Sequence, residues 1–388
     1  AHKYSGLCEL VCSNSLKALR IESAGGLLKK EMEFFGSVVV AAAYETQVPA
    51  GGALAVDRIL FSDTVTRIIT NHPNITVINE EIIKIPRNEI VIVAPGPLVE
   101  GKLADDIAEL TGGYLSFYDA AAPIVERDSL DFSKCFLGAR YKRGGDDYIN
   151  CPMTEDEYNA FYDALITAEK APVHEEIDKP KVFEGCMPVE IMANRGRDTL
   201  KYGPLKPVGL TDPNTGKRPY VNVQLRQDNK EGTLYNIVGF QTNLKFGEQK
   251  RVFSMIPALH DAEFVRYGVM HRNLFLNAPE VLNNDFSMKK YPNIYFGGQI
   301  TGVEGYIESA MSGMVAGWSA CGKKLNLPKE TIMGSITAYI AGGSVGNFQP
   351  MNANFGILPP LDERIKNKQE RYMKLAERSI KTLKIKNF

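Results

Sequence analysis

Cysteine is scarce in this chain of 388 residues: six thiols, Cys8, Cys12, Cys135, Cys151, Cys186 and Cys321, none of them spaced as CxxC. That is too few for a disulfide-dense scaffold of this size, so reduced thiols are expected. Cys8 and Cys12, four residues apart, could form half of a metal site. No second cluster completes it, and the five histidines (His2, His72, His174, His260, His271) are scattered without ligand spacing, so no metal is expected. Long apolar runs are also lacking. The longest, residues 38–44 and 90–94, fall far short of the ~20 residues a membrane helix needs. Low-complexity segments are absent, which excludes long disorder. GxGxxG, GxxxxGK[ST] and HExxH are missing too, which excludes a self-contained dinucleotide fold with its usual first turn. The opening residues Ala1-His2-Lys3-Tyr4 carry no basic stretch followed by an apolar one, so no signal peptide is expected and a cytoplasmic location is.

What is present is an ordinary globular balance, with 45 Lys+Arg against 46 Asp+Glu. The length favours two domains or one large α/β unit. The charge is uneven. Residues 179–226 hold nine Lys/Arg and four Asp/Glu, and residues 362–388 hold the same numbers, so the remainder is acidic. Two basic surfaces on a near-neutral body suit docking of a folded RNA, although solvated faces look alike.

Apolar spacing predicts helices over 26–35, less clearly over 60–70, and over 155–169, the last opened by a Thr154/Glu157 capping box. Residues 75–78 read as a short strand. The β-branched run 89–94 reads as a strand buried on both faces. Alternation in 220–225 and in part of 234–241 predicts antiparallel or mixed sheet, and 362–388 reads as a basic helix. The segment 293–317, NIYFGGQITGVEGYIESAMSGMVAG, is the most informative. A strand over 294–296 enters a glycine turn and then a helix faced with Ala310, Ser312, Gly313, Ala316 and Gly317. Small residues let such a helix lie close to a sheet or ligand, and the turn amides plus the helix start would cradle an anion such as a pyrophosphate. Packing alone explains many such turns.

Two cysteines sit where a thiolate could be activated. Cys186 lies between Gly185 and Pro188, ahead of Arg195, Arg197 and Lys201, and Cys12 lies at the edge of the polar run Ser13-Asn14-Ser15. The bland reading of each is a buried small hydrophobe. Residues 266–273, RYGVMHRN, carry no chemistry legible from the sequence alone.

Eight ordered blocks resemble one family: ELVCSNSL (9–16), VPAGGALAVDR (48–58), YDAAAPIV (118–125), FEGCMPVE (183–190), GRDTLKYGPLKPVGL (196–210), RYGVMHRN (266–273), GGQITGVEGYIESA (297–310) and NFQPMNANFG (347–356). They resemble the folate- and FAD-dependent tRNA uracil-5 methyltransferases, similar in fold to the larger enzymes that modify wobble uridine. The resemblance implies an α/β flavoprotein of the type with two dinucleotide-binding motifs, its FAD-binding Rossmann-like domain split by an inserted α+β substrate domain. Boundaries follow: 1–97 and 291–345 for the FAD domain, 98–290 for the insertion, 346–388 for a basic helical tail.

The implied reaction is methylation of C5 of a T-loop uridine in tRNA. The carbon comes from 5,10-methylenetetrahydrofolate by way of reduced FAD, with NAD(P)H as reductant. The family's functional cysteines match Cys186 and Cys12, and the arginines after Cys186 favour it as the thiolate that adds to uracil C6, with Cys12 assisting. Tyr306 matches an aromatic residue lying against flavin or base. Gly297, Gly298, Gln299, Gly302, Glu304 and Gly305 carry the second flavin motif, and Gly51 and Gly52 approach the ring system. The implied partners are the tRNA T-arm, folate and a nicotinamide nucleotide, with no DNA and no membrane. One departure stands out: the family pattern opens with a strand, a GxGxxG turn and a helix, none of which occurs here. FAD binding by this chain alone is therefore expected to be poor. Two alternatives remain open, the same chemistry on a ribosomal RNA uridine and a catalytically silent RNA- or folate-binding remnant.

Overall fold

The computed structural model describes residues 4–172, 187–323, 325–342 and 348–386. The chain divides into two compact units, one built from Ala1–Ser15, Thr46–Asp63 and Phe117–His271, the other from Leu16–Glu45, Thr64–Ser116 and Arg272–Phe388. The sequence placed an insertion at 98–290, and the units part at Ser116/Phe117 and His271/Arg272.

The first unit is organised by the strand Val221–Gln227. It lies inside a six-stranded sheet whose order is Phe264–Arg266, Ile124–Glu126, Leu234–Ile237, Val221–Gln227, Tyr148–Met153 and Phe136–Leu137. Neighbouring strands run antiparallel throughout, one of the two arrangements expected for 220–225 and 234–241. Val221, Val223 and Leu225 point into a core shared with Ile149, Cys151, Met153 and the helix Glu155–Thr167, whose Tyr158, Phe161, Tyr162 and Leu165 are buried. The Thr154/Glu157 capping box forms as expected. The helix stops two residues early, because Ala168 turns to extended backbone.

The other face of that strand is buried as well, which simple alternation does not foresee. Asn222 and Gln224 donate to Asn150 Oδ1 at 3.1 and 3.0 Å, and Asn150 donates to the Gly138 carbonyl at 2.9 Å. Arg140 Nε in turn donates to Gln224 Oε1 at 2.7 Å. Burying polar groups is costly unless they are paired, and these side chains are linked into one network, with Asn222 Oδ1 left without a partner among the described residues.

In the second unit the strand Ile294–Phe296 pairs in parallel with Val91–Val93. The helix Tyr306–Ala320 packs back on both strands. The helix Ala24–Phe34 runs against the helices Tyr306–Ala320, Ile332–Gly342 and Lys368–Lys386, with Leu27, Leu28 and Met32 fully buried. Its Glu31 ties the bundle together. The carboxylate accepts from the Ile332 and Met333 amides, both at 2.8 Å, and from Ser379 Oγ at 2.5 Å.

Two strand expectations fail. Residues 75–78 form no ladder, and Ile78 is 69% exposed. A β-branched run becomes a strand only where a partner edge accepts its hydrogen bonds, and none of the described residues does so here. The run 89–94 shrinks to Val91–Val93, buried on one face only, since Val93 is covered while Ile90 and Ile92 are exposed. The basic tail is helical from Lys368, because Asn367 Oδ1 caps the Gln369 and Glu370 amides.

Candidate functional site

The glycine segment closes on itself before it offers anything to a ligand. Gly297 N–H continues the parallel ladder to the Val93 carbonyl at 3.0 Å, and Gly298 N–H donates to Ser312 Oγ at 2.8 Å. Gly302 N–H donates to the Gln299 carbonyl, and the Glu304 amide to the Met351 carbonyl, each at 2.9 Å. The glycines at 298, 302 and 305 have φ of +83°, +87° and +111°, which side chains with a Cβ rarely adopt. A Cβ on Gly297 would meet Gly313 Cα at 3.1 Å, so the small helical face serves close strand–helix packing, as the sequence suggested. Helix geometry leaves the first amides of Tyr306–Ala320 without intrahelical acceptors, and the local dipole favours an anion there. Tyr306, half-buried, stands at that start, and Gln299 Nε2 bonds Glu304 Oε2 at 2.5 Å.

Below the helix start lies a charged cluster that the sequence did not announce. Glu308 is fully buried, pairs with Lys17 and accepts from the Ala353 amide at 2.8 Å. Its Oε2 has no hydrogen-bond partner among the described residues. Lys29, also buried, donates to the Leu16 and Gly25 carbonyls at 2.7 and 2.9 Å. Burial lowers its ammonium to about 8, with Glu308 raising it and Lys17 lowering it further. The only sequence signal for this cluster was a glutamate placed among small residues after Gly305.

In the first unit, Gly51 turns the hairpin between Gln47–Val48 and Ala53–Val56 with φ of +57°. Its amide is taken by Asp147 Oδ2 at 2.8 Å, and a Cβ there would meet the Arg143 carbonyl at 2.9 Å. Gly52 has open space beside it.

Cys12 belongs to the same unit, half-buried in a loop fixed from several sides. Arg58 Nη1 donates to the Leu10 carbonyl at 2.5 Å, Arg266 donates to the Val11 carbonyl, and Arg226 binds Ser13 and Asn14. Asn14 Nδ2 reaches the Val56 and Gln227 carbonyls at 3.0 and 2.9 Å. These arginines come from three distant segments, so local sequence could not reveal them. All three sit in or beside segments already singled out, Arg58 closing VPAGGALAVDR, Arg226 following the alternating run 220–225 and Arg266 opening RYGVMHRN. Cys186 lies outside the described residues. Gly297 to Tyr306 are thus gathered in one unit, and Cys12, Gly51 and Gly52 in the other.

Comparison with known proteins places this arrangement. Residues 1–328 match the family model described as glucose inhibited division protein A. The solved structure of Aquifex aeolicus GidA shares the fold, with a TM-score of 0.67 over 96% of this chain and 67% of that one, at 15% identity. The class is therefore an α/β protein of the GidA kind. Closer relatives are curated as methylenetetrahydrofolate–tRNA-(uracil-5-)-methyltransferase TrmFO. The one from Acetivibrio thermocellus is 57% identical over 99% of this chain and 89% of its own length, and the one from Desulforamulus reducens is 58% identical over 99% and 88%. The chain belongs to the glucose inhibited division protein A family and, within it, to the methylenetetrahydrofolate–tRNA-(uracil-5-)-methyltransferases.

Proposed function

We propose that this protein methylates C5 of a T-loop uridine in tRNA, drawing the carbon from 5,10-methylenetetrahydrofolate with FAD as cofactor and NAD(P)H as reductant. The observation that carries the proposal is identity of more than half the residues, over nearly the whole chain, to enzymes named for this transfer. On this reading the unit of Leu16–Glu45, Thr64–Ser116 and Arg272–Phe388 holds the cofactor, and the unit of Ala1–Ser15, Thr46–Asp63 and Phe117–His271 serves the substrate.

The second unit fits a flavin nucleotide on one observation. A buried carboxylate oxygen, Glu308 Oε2, lacks a donor among the described residues, and leaving such an atom unpaired costs about 1–3 kcal/mol. Glu308 and the start of Tyr306–Ala320 would hold the polar and anionic groups of FAD. When bound and reduced, FAD supplies the electrons that convert methylene to methyl. The protein's own residues prepare the base. The Cys186 thiolate forms a bond to uracil C6, the ring electrons move to the C4 carbonyl oxygen, and C5 becomes nucleophilic. Cys12 removes the C5 proton once the carbon is attached, and loss of the C6–sulfur bond restores the ring. Tyr306 would lie against the flavin or the extruded base.

Incubation of the protein with T-arm tRNA, methylenetetrahydrofolate, NADPH and FAD in large excess, to offset weak cofactor binding, is expected to yield 5-methyluridine in the T-loop. RNA bound but unmethylated under those conditions would overturn the proposal. With 5-fluorouridine tRNA, Cys186→Ala is expected to abolish the covalent adduct and Cys12→Ala to retain it, and the opposite pattern would exchange their roles.

A further inference from the structure

We propose that the loop Arg140-Tyr141-Lys142-Arg143 is a phosphate clamp for the RNA substrate, with Lys142 and Arg143 neutralising backbone phosphates. This rests on tRNA being the substrate, as proposed above. The loop joins the strands Phe136–Leu137 and Tyr148–Met153, outside the two basic stretches counted in the sequence. It holds consecutive non-glycine residues in the left-handed region, Tyr141 at φ +57° and ψ +23° and Lys142 at φ +55°. That conformation is costly for a residue with a Cβ and persists only where the surroundings impose it. Arg140 Nε donates to Gln224 Oε1 at 2.7 Å, and its Nη1 donates to the Lys206 carbonyl and, at 3.1 Å, to that of Val208. The Tyr141 amide donates to the Gly209 carbonyl at 2.9 Å, and the Tyr141 ring lies against Gly209, where an added Cβ would meet it at 2.9 Å. Arg140 and Tyr141 thus serve the fold, and they fix the backbone that carries the two cations after them.

Lys142 and Arg143 are exposed, and neither forms an ion pair among the described residues. The Arg143 guanidinium lies over the Tyr141 ring, 5.4 Å from its centroid. A ring holds a cation in place without neutralising it, so the guanidinium keeps its donors for an anion. Of the two carboxylates that follow, Asp147 Oδ2 accepts from the Gly51 amide at 2.8 Å, and Asp146 pairs with neither cation. Lys206, whose carbonyl Arg140 holds, adds a third exposed cation without an ion pair among the described residues. By contrast Arg197, Lys245 and Arg251 of the same unit are matched by Asp163, Glu169 and Glu248. Unmatched cations on a fixed backbone suit a polyanion, and RNA is the polyanion of the proposed reaction. The position agrees. A Cβ on Gly144 would meet Gly51 Cα at 2.9 Å, and Tyr148 Oη donates to the Ala50 carbonyl at 3.0 Å. The loop therefore borders the Gly51-Gly52 turn, which the family resemblance sets against the flavin ring system.

Filter binding of a T-arm hairpin RNA across salt concentrations, with melting temperatures measured alongside, tests this. Lys142→Gly removes the charge and relaxes the left-handed backbone. Its melting temperature is expected to stay level or rise, while affinity falls roughly tenfold and the slope of log affinity against log salt falls by about one unit. Arg143→Gln is expected to lower the slope by about one unit, and the double variant by about two. Arg251→Gln, which removes a cation already matched by Glu248, is expected to leave the slope as it is. Unchanged slopes in Lys142→Gly and Arg143→Gln overturn the proposal, and so does an equal loss in Arg251→Gln, which would mark general charge attraction. A lowered melting temperature with an unchanged slope overturns it as well, because the loop would then serve the fold alone. Failure of the underlying reading shows separately, as T-arm RNA bound with the expected slopes yet never methylated. A wild-type protein that binds no T-arm RNA refutes both.

Discussion

The carboxyl of Glu31 is wholly buried yet receives three donors, two backbone amides and a hydroxyl. Burial lifts it to about 7, outweighing the lowering by Ser379, Met333 and Ile332. An exposed glutamate titrates near ~4.3, so between these values the folded state holds more protons than the unfolded one. Stability therefore declines as pH rises from about 4.5 to about 7, by on the order of 3 kcal/mol, and is level above that range. Thermal melting from pH 4.5 to 8 is expected to show this decline in the wild type and to lose it in Glu31→Gln. Parallel profiles for the two proteins would refute it. The glutamine variant is also expected to be less stable at pH 5, because its amide group confronts a backbone N–H that the carboxyl accepts.

At the scale of elements, the strand end at Gly297 lies close against the helix at Gly313. The two glycines are not equivalent. A Cβ on Gly297 meets Gly313 Cα at 3.1 Å, whereas one on Gly313 meets nothing within 4 Å. Gly297→Ala is therefore expected to cost about 1–3 kcal/mol through overpacking. Gly313→Ala is expected to be neutral, or stabilising by up to ~1 kcal/mol from helix propensity. Urea denaturation measures both, and the reverse ranking would contradict this packing. The strand, turn and helix here were legible because short apolar strands, left-handed glycines and a small-residue face are local properties. Residues 75–78 and the flanks of Val91–Val93 were not, since a strand exists only with its partner and burial depends on what covers it. Likewise the turn amides of Gly297, Gly298 and Gly302 read as an anion cradle, yet they close on acceptors within the fold such as Val93 and Ser312. Cys12 was legible as a candidate from its motif, and its arginines were not, because they converge from positions 58, 226 and 266.

For the molecule as a whole, the tail's basic charge divides by use. Arg378 donates to the Pro359 and Pro360 carbonyls at 2.5 and 2.8 Å, and Arg371 to the Ile365 carbonyl at 3.2 Å, so both serve the fold. Lys374, Lys381 and Lys384 are exposed and share one stripe of the helix Lys368–Lys386. Reversing these three lysines to glutamate is expected to weaken tRNA binding and flatten its salt dependence, by about one unit of slope for each phosphate no longer neutralised. Filter binding across salt concentrations reads both effects, and an unchanged slope would remove this surface from the RNA interface. The first unit's central strand carries a different consequence, for folding fidelity. Val221, Val223 and Leu225 face an apolar layer, while Asn222, Gln224 and Arg226 face a polar one, and both layers exclude water. A slip of one residue exchanges the two sets, burying an arginine among aliphatic side chains and stranding the Asn150 acceptor. Most half-solvated strands lose only one face when misaligned. This one loses both, so the sheet admits a single register, and the pairing that assembles it also proofreads it.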